Sequence, residues 1–257
     1  MKKILPLLMF CSLFFSLMNT LHAKASTNIP DNLKNEFTLG GQIPVEFKTT
    51  EETQTTNFSF NKIFIDKLVL KAKNHEFSDL GETDIHLYKL LDDISEQVKG
   101  KKVAVMETRN GWYESILLAY GANPIIVTNK KVVCKDSRLA YISYDELTNS
   151  LQSFDFVLSI YDISKKGLGL NNESYDPNAD LKEMDLYKSI LKDSGRLILS
   201  LPVGPDKLIW NSNRIYGQLR MKMLLQGWRI LKYYGFTSEH VFFGVNYAPV
   251  FLIQQKK

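Results

Sequence analysis

Beyond Gly100 the sequence alternates short apolar runs with stretches of helical periodicity, and this alternation restricts the fold more than any other feature. The runs 103–107, 124–128, 139–144, 154–160 and 196–201 are aliphatic and bounded by turn residues, and read as strands. Between them, 112–120 and 179–191 place apolar residues three and four apart and read as helices. Asp193-Ser194-Gly195 closes the second of these, with Gly195 as its expected C-cap. A further helix is predicted over 214–226, and two final strands over 228–236 and 241–254, which are rich in β-branched and aromatic residues. Strand–helix–strand units of this kind build parallel sheets, because parallel neighbours need a long crossover. The expected fold is α/β: a three-layer sandwich around a mostly parallel, Rossmann-like seven-stranded sheet.

Upstream, 84–94 predicts a helix with one apolar face and Asp84 able to cap its start, whereas 63–70 is apolar without favouring strand or helix. Residues 26–61 lack periodicity, and 49–57 is polar and Thr-rich, a composition that buries too little surface to offset the entropy of ordering. The N-terminus has a basic start, Lys2-Lys3, and an apolar run over 4–18, followed by Ala23-Lys24-Ala25. That is the layout of a secretory signal with an A-x-A cleavage site. Left uncut, 4–23 just reaches the ~20 residues of a spanning helix, and the leading lysines would hold the N-terminus inside. The sequence therefore divides into a signal peptide or signal anchor at 1–23, a partly disordered linker at 24–61 and a folded domain at 62–257. The expected location is secreted or exported, or anchored in the membrane by 4–23 with no other membrane contact. Without the signal, Cys134 is the one cysteine left, so no internal disulfide forms; it reads as a packing residue.

With 44% apolar residues the 257-residue chain can bury a sizeable core. Its net charge of +4 comes from lysines and arginines spread along the whole length, which does not make a nucleic-acid interface. His75, His86 and His240 show no metal-ligand spacing, and there is no Gly-x-Ser-x-Gly elbow or phosphate-cradling loop.

Several phrases are more specific. Leu191-Lys192-Asp193-Ser194-Gly195-Arg196-Leu197-Ile198-Leu199-Ser200-Leu201-Pro202 resembles the turn and fifth strand of class I AdoMet-dependent methyltransferases. Gly111-Trp112-Tyr113-Glu114 with Gly121-Ala122, Gly167-Leu168-Gly169 followed by Asp176-Pro177 and Asp180-Leu181, Pro202-Val203-Gly204-Pro205-Asp206, and Asn211-Ser212-Asn213-Arg214-Ile215-Tyr216-Gly217 resemble the methyltransferase-like family DUF268, over about residues 101–256. The resemblance implies the methyltransferase type of the fold just derived, five parallel strands and a late pair, with S-adenosylmethionine (AdoMet) as cofactor.

That cofactor would lie at the carboxyl ends of the first strands, where glycines let backbone approach a ligand. The turn here, Glu107-Thr108-Arg109-Asn110-Gly111-Trp112, has one glycine. Glu107 could hold the cofactor's amino end and Asn110 could donate a hydrogen bond, or Asn110 caps the next helix while Trp112 packs on the sheet. The second strand ends in Asn129 where the resemblance implies an acidic residue for both ribose hydroxyls. Tyr161-Asp162-Ile163-Ser164-Lys165-Lys166 stands where the family pattern has a Glu-His pair, leaving Asp162 as the nearest catalytic carboxylate, and Asn213 replaces a family histidine. Asp176, Asp206, Asn211, Arg214 and Tyr216 are predicted at the same end of the sheet, as candidates to bind a sugar or other small polar ligand. The expected function is an exported methyltransferase-like protein that binds a ligand or partner without catalysis and has lost its cofactor. The alternative is an AdoMet-dependent methyltransferase acting on a sugar or other small polar acceptor.

Overall fold

In the computed structural model, residues 28–48, 58–108, 110–170, 173–245 and 248–256 are described. The segment read as signal or anchor and the Thr-rich stretch lie outside them. In chain order the elements are α1 (Asp31–Phe37), β1 (Val45–Phe47), β2 (Phe58–Phe60), α2 (Lys62–Lys73), α3 (Glu82–Asp93), α4 (Ser95–Val98), β3 (Lys102–Met106), α5 (Trp112–Ala119), β4 (Asn123–Val127), β5 (Val132–Cys134), β6 (Ala140–Ile142), α6 (Tyr144–Thr148) and β7 (Phe154–Ile160). They continue with α7 (Ala179–Ile190), β8 (Leu191–Ser200), β9 (Lys207–Trp210), β10 (Asn213–Ile215), α8 (Gln218–Leu224), β11 (Trp228–Tyr234), α9 (His240–Phe243) and β12 (Val250–Gln255).

The seven-stranded sheet has the order β11-β12-β8-β7-β3-β4-β6. The five strands from β8 to β6 are parallel, β12 runs antiparallel to β8, and β11 antiparallel to β12. The central strands are buried on both faces, which is why they read as continuous apolar runs. Alternate side chains serve two cores. Val103, Val105, Phe156, Leu158 and Ile198 meet Leu87 and Leu91 of α3 and Ile116 of α5 on one face. Ala104, Val157, Leu197 and Leu199 meet Met184, Tyr187 and Ile190 of α7 and Leu224 of α8 on the other.

Several sequence expectations change in the fold. Residues 63–70 are helical within α2, whose start is capped by Asn61, its Oδ1 accepting the Phe64 N–H at 2.9 Å. Asp84 does not cap α3, which begins at Glu82; its fully buried carboxylate accepts the Ser78 N–H (2.7 Å), the Trp112 Nε1–H (3.0 Å) and the Tyr113 hydroxyl (3.3 Å). The helix predicted over 179–191 ends at Ile190 and its C-cap is the extended Leu191, which pairs with Phe154; Gly195 lies in the irregular stretch of β8. The helix predicted over 214–226 begins only at Gln218, because Asn213–Ile215 is taken by β10, antiparallel to β9. The strand predicted over 241–254 starts at Val250, after the short α9.

Much of the segment read as linker joins the body. β1 pairs in parallel with β9. Ile29, Phe37 and Ile43 cluster with Leu168, Leu208 and Trp210. Trp210 is held edge-on to Phe37 (5.3 Å) and stacked on Tyr175 (5.2 Å). These apolar residues are too widely spaced to show a period, and their partners lie over a hundred residues away. Cys134 is half-buried on β5 and carries no disulfide, and burial pushes its thiol up, which suppresses the thiolate. Among the described residues no helix is long and apolar enough to cross a membrane, and no group of His, Cys, Asp and Glu is arranged to hold a metal.

Candidate functional site

At the carboxyl ends of the central strands two non-glycine residues turn the chain through the left-handed region: Glu107 after β3 (φ 48°) and Tyr161 after β7 (φ 60°). Such conformations are costly for residues with a Cβ and persist where the surroundings fix them. The Glu107 N–H bonds to the Val127 carbonyl (2.9 Å) and the Tyr161 N–H to the Ser200 carbonyl (2.9 Å), which prolongs the sheet ladders into the turn. The Glu107 carboxylate leans towards the end of β4, accepting the Thr128 hydroxyl (3.1 Å) and lying 3.5 Å from Lys130 Nζ. Burial and the charge of Asp162 raise its pKa, and Lys166, Lys130 and Thr128 oppose that shift.

Lys166 lies at the centre of this end of the sheet. It follows the 3-10 turn Ile163–Lys165 and is 7% exposed. Its Nζ donates to the Tyr144 hydroxyl (2.7 Å) and lies 3.5 Å from Asp162 Oδ1, 3.7 Å from Glu173 Oε1 and 4.4 Å above the Tyr144 ring. Tyr144 in turn donates to Glu183 (3.4 Å), and the buried Tyr187 hydroxyl lies 3.2 Å from Ser159 Oγ and 3.5 Å from Asp162 Oδ2. Burial pulls the lysine pKa down, but Asp162, Glu183, Glu173 and Glu107 outweigh it, so the ammonium is held above its usual range and stays charged. Glu183 is pushed up to about 7, by burial first and Asp162 next, with Lys166 opposing. The site is thus a polar lattice with more carboxyl groups than cations.

The Gly-Leu-Gly phrase is what sets Lys166 in place. Gly167 has φ 70°, and a Cβ there would lie 2.2 Å from the Asp176 carbonyl oxygen. Leu168 is buried in the cluster around Trp210. Arg214, 5% exposed, donates to the Lys166 carbonyl (2.6 Å) and to those of Asp176 and Pro177 (3.3 Å each). Asp180, fully buried, accepts the Tyr216 hydroxyl (3.1 Å) and Arg220 Nε (3.0 Å) and also bonds Arg220 Nη2.

The candidate ligand residues thus fall into this framework and not into one open cleft. Asp176 binds the Asn178 N–H (2.9 Å) and Lys182 (2.6 Å). Asp206 caps α8, accepting the N–H groups of Gly217 (2.9 Å), Leu219 (2.7 Å) and Arg220 (2.9 Å). Asn211 is buried at φ 62° in the turn between β9 and β10. The candidate cofactor residues are also engaged. Asn110 Oδ1 accepts the Trp112 N–H (3.2 Å), and Asn129 Oδ1 accepts the Tyr144 N–H at the start of α6 (3.1 Å). Gly111 is left-handed (φ 80°), and a Cβ there would sit 3.1 Å from Phe60 and 3.2 Å from Ile65. Sequence reasoning missed Tyr144, Glu173 and Glu183, which give no local motif. It quoted Lys166 only as the end of the stretch that stands where the family pattern has a Glu-His pair.

The sheet runs third, second, first, fourth, fifth, seventh, sixth in chain order, with one strand reversed, and helices cover both faces. This is a methyltransferase-like α/β protein. The family described as "Caenorhabditis protein of unknown function, DUF268" matches residues 100–244, more than half of the chain, and the chain belongs to it. Among solved structures, the Burkholderia thailandensis 1,6-didemethyltoxoflavin-N1-methyltransferase with bound 1,6-didemethyltoxoflavin and S-adenosylhomocysteine is similar with a TM-score of 0.53 at 12% identity, over 76% of this chain and 88% of that one. A SAM dependent methyltransferase from Archaeoglobus fulgidus gives 0.46 at 14% identity, over 74% and 99%. At these identities the likeness concerns the fold. No curated protein matches the chain.

Proposed function

We propose that this chain is an exported, non-catalytic methyltransferase-like protein that binds a small polar ligand or a partner. The observation that carries the reading is the position of Lys166, a charged side chain of the protein's own at the carboxyl ends of β3 and β7, where a methyltransferase of this fold would hold its cofactor. The residues present do not fit AdoMet. Phe60 and Ile65 fill the space against the single glycine of the turn, Asn110 and Asn129 serve the starts of α5 and α6, and Glu107 is engaged by Thr128 and Lys130. No carboxylate ends β4 to take both ribose hydroxyls.

The second reading, an AdoMet-dependent methyltransferase acting on a sugar or small polar acceptor with Asp162 beside the acceptor, draws on one observation. Glu107, Asp162 and Glu183 exceed the cations around them, and a sulfonium cofactor is itself cationic. Calorimetric titration of the purified chain with AdoMet and S-adenosylhomocysteine separates the two. The first reading expects no heat and no thermal shift at millimolar ligand. Micromolar binding that disappears in Glu107→Ala overturns it in favour of the enzyme. Export rests on the sequence of residues 1–23, and the N-terminal sequence and mass of the mature protein test it: a start at Lys24 or Ser26 means cleavage, and an intact, membrane-bound chain means an anchor.

A further inference from the structure

α2 is amphipathic in an unusual sense. Its inner side buries Ile65 and Ala72 and packs on α5, but the side turned to water is not simply polar. Ile63 and Leu70, seven residues apart and so on one line of the helix, are 72% and 62% exposed. Lys67 lies between them on the same face, Lys71 follows beside it, and Phe64, 38% exposed, borders them. Four lysines, Lys62, Lys67, Lys71 and Lys73, stand against one acid on the helix, Asp66, which is already paired with Lys62 (2.6 Å) and Arg138 (2.7 Å). Lys71 lies 3.5 Å from Glu76, just past the helix end.

We propose that the outer face of α2 lies on a membrane surface containing anionic phospholipid, with Ile63 and Leu70 entering the headgroup boundary and Lys67 and Lys71 against the phosphates. An exposed face combining large aliphatic side chains with lysines is the pattern of helices that lie in an interface. A second copy of the chain is disfavoured as the occupant: a two-fold contact would set this basic face against itself. The apolar run over residues 4–18 precedes this helix in the same chain and, if left uncut, would supply a second membrane contact that holds the body near the lipid. The inference does not depend on whether AdoMet binds.

The test uses the full chain with Cys11→Ser and Cys134→Ser and an environment-sensitive fluorophore on Leu70→Cys. Vesicles are of phosphatidylcholine alone or of phosphatidylcholine mixed with an equal amount of phosphatidylserine. Reporting from position 70 separates the helix from any binding by the N-terminal run. The expected result is a blue shift on the mixed vesicles, smaller on phosphatidylcholine, and lost in high salt or when Lys67→Glu and Lys71→Glu are added. The same probe on Leu151→Cys, in the exposed turn before β7, should not respond. The proposal is overturned if vesicle-bound protein gives no shift at position 70, or if both probes shift alike. It is also overturned if only soluble polyglutamate elicits the response, which would assign the face to an acidic protein.

Discussion

Lys166 and the carboxyl groups around it are the residues on which most of the site's energetics turn. Glu183 binds its proton more tightly in the folded protein, at about 7, than at its ordinary 4.5, so folding favours the neutral acid. The stability this confers is complete below about pH 4.5 and is lost as pH rises through about 7. In Glu183→Gln the fall in unfolding free energy from about pH 5 to about pH 8 should shrink by on the order of 2 kcal/mol, measured by urea denaturation at each pH. An unchanged pH profile would mean that Glu183 does not titrate in this range. Asp180 is fully buried, with the Arg220 guanidinium and the Tyr216 hydroxyl as its partners. Asp180→Ala removes the carboxylate from the buried Arg220, leaving it the Pro177 carbonyl, and from Tyr216, and should cost about 3–5 kcal/mol. Asp176→Ala, which removes an ion pair to the exposed Lys182, should cost about 1 kcal/mol or less. Equal losses in the two variants would contradict this account. The sequence shows all these residue types, but it does not show which carboxylates are paired, since the hydrogen-bond link from Glu183 to Lys166 runs through Tyr144, some forty positions from Glu183.

At the scale of elements, the phrases that carry the family resemblance are fastenings. Gly167 admits the Asp176 carbonyl, Arg214 gathers three carbonyls from two loops, and Asp206 caps α8 from outside the helix. Asp206→Ala should cost about 1–2 kcal/mol and speed amide exchange in the first turn of α8 ahead of the rest of the domain. Exchange unchanged there would remove the cap from the account. Local pattern also explains which elements were legible. The central strands β3 and β7 are buried on both faces and their apolar runs are unbroken, so their positions follow from sequence to within a residue or two, whereas the edge strand β6 is largely exposed and shorter than its predicted run. Arg214 and Ile215 open the helix predicted over 214–226, yet pairing with β9 takes them into a strand, a tertiary choice that overrides propensity.

For the molecule as a whole, the segment before β2 is the largest difference between expectation and structure. α1 and β1 close over β9 and β10, with Trp210 between Phe37 and Tyr175. Trp210→Ala should cost about 3–5 kcal/mol and make residues 28–48 the first site of limited proteolysis, read by mass spectrometry of the fragments. Cleavage elsewhere first would mean that this segment does not depend on Trp210. The sequence by itself determined the α/β class and the order of the parallel strands along the chain, because buried strands and repeated crossovers leave a local periodic trace, and its motif phrases carried the resemblance to the family. Only the tertiary structure decided that 28–48 belongs to the body, that Asp84 joins α3 to α5, and that Lys166 stands among Asp162, Glu173 and Tyr144. Those arrangements depend on contacts between residues far apart in the chain, and no local pattern encodes such a contact.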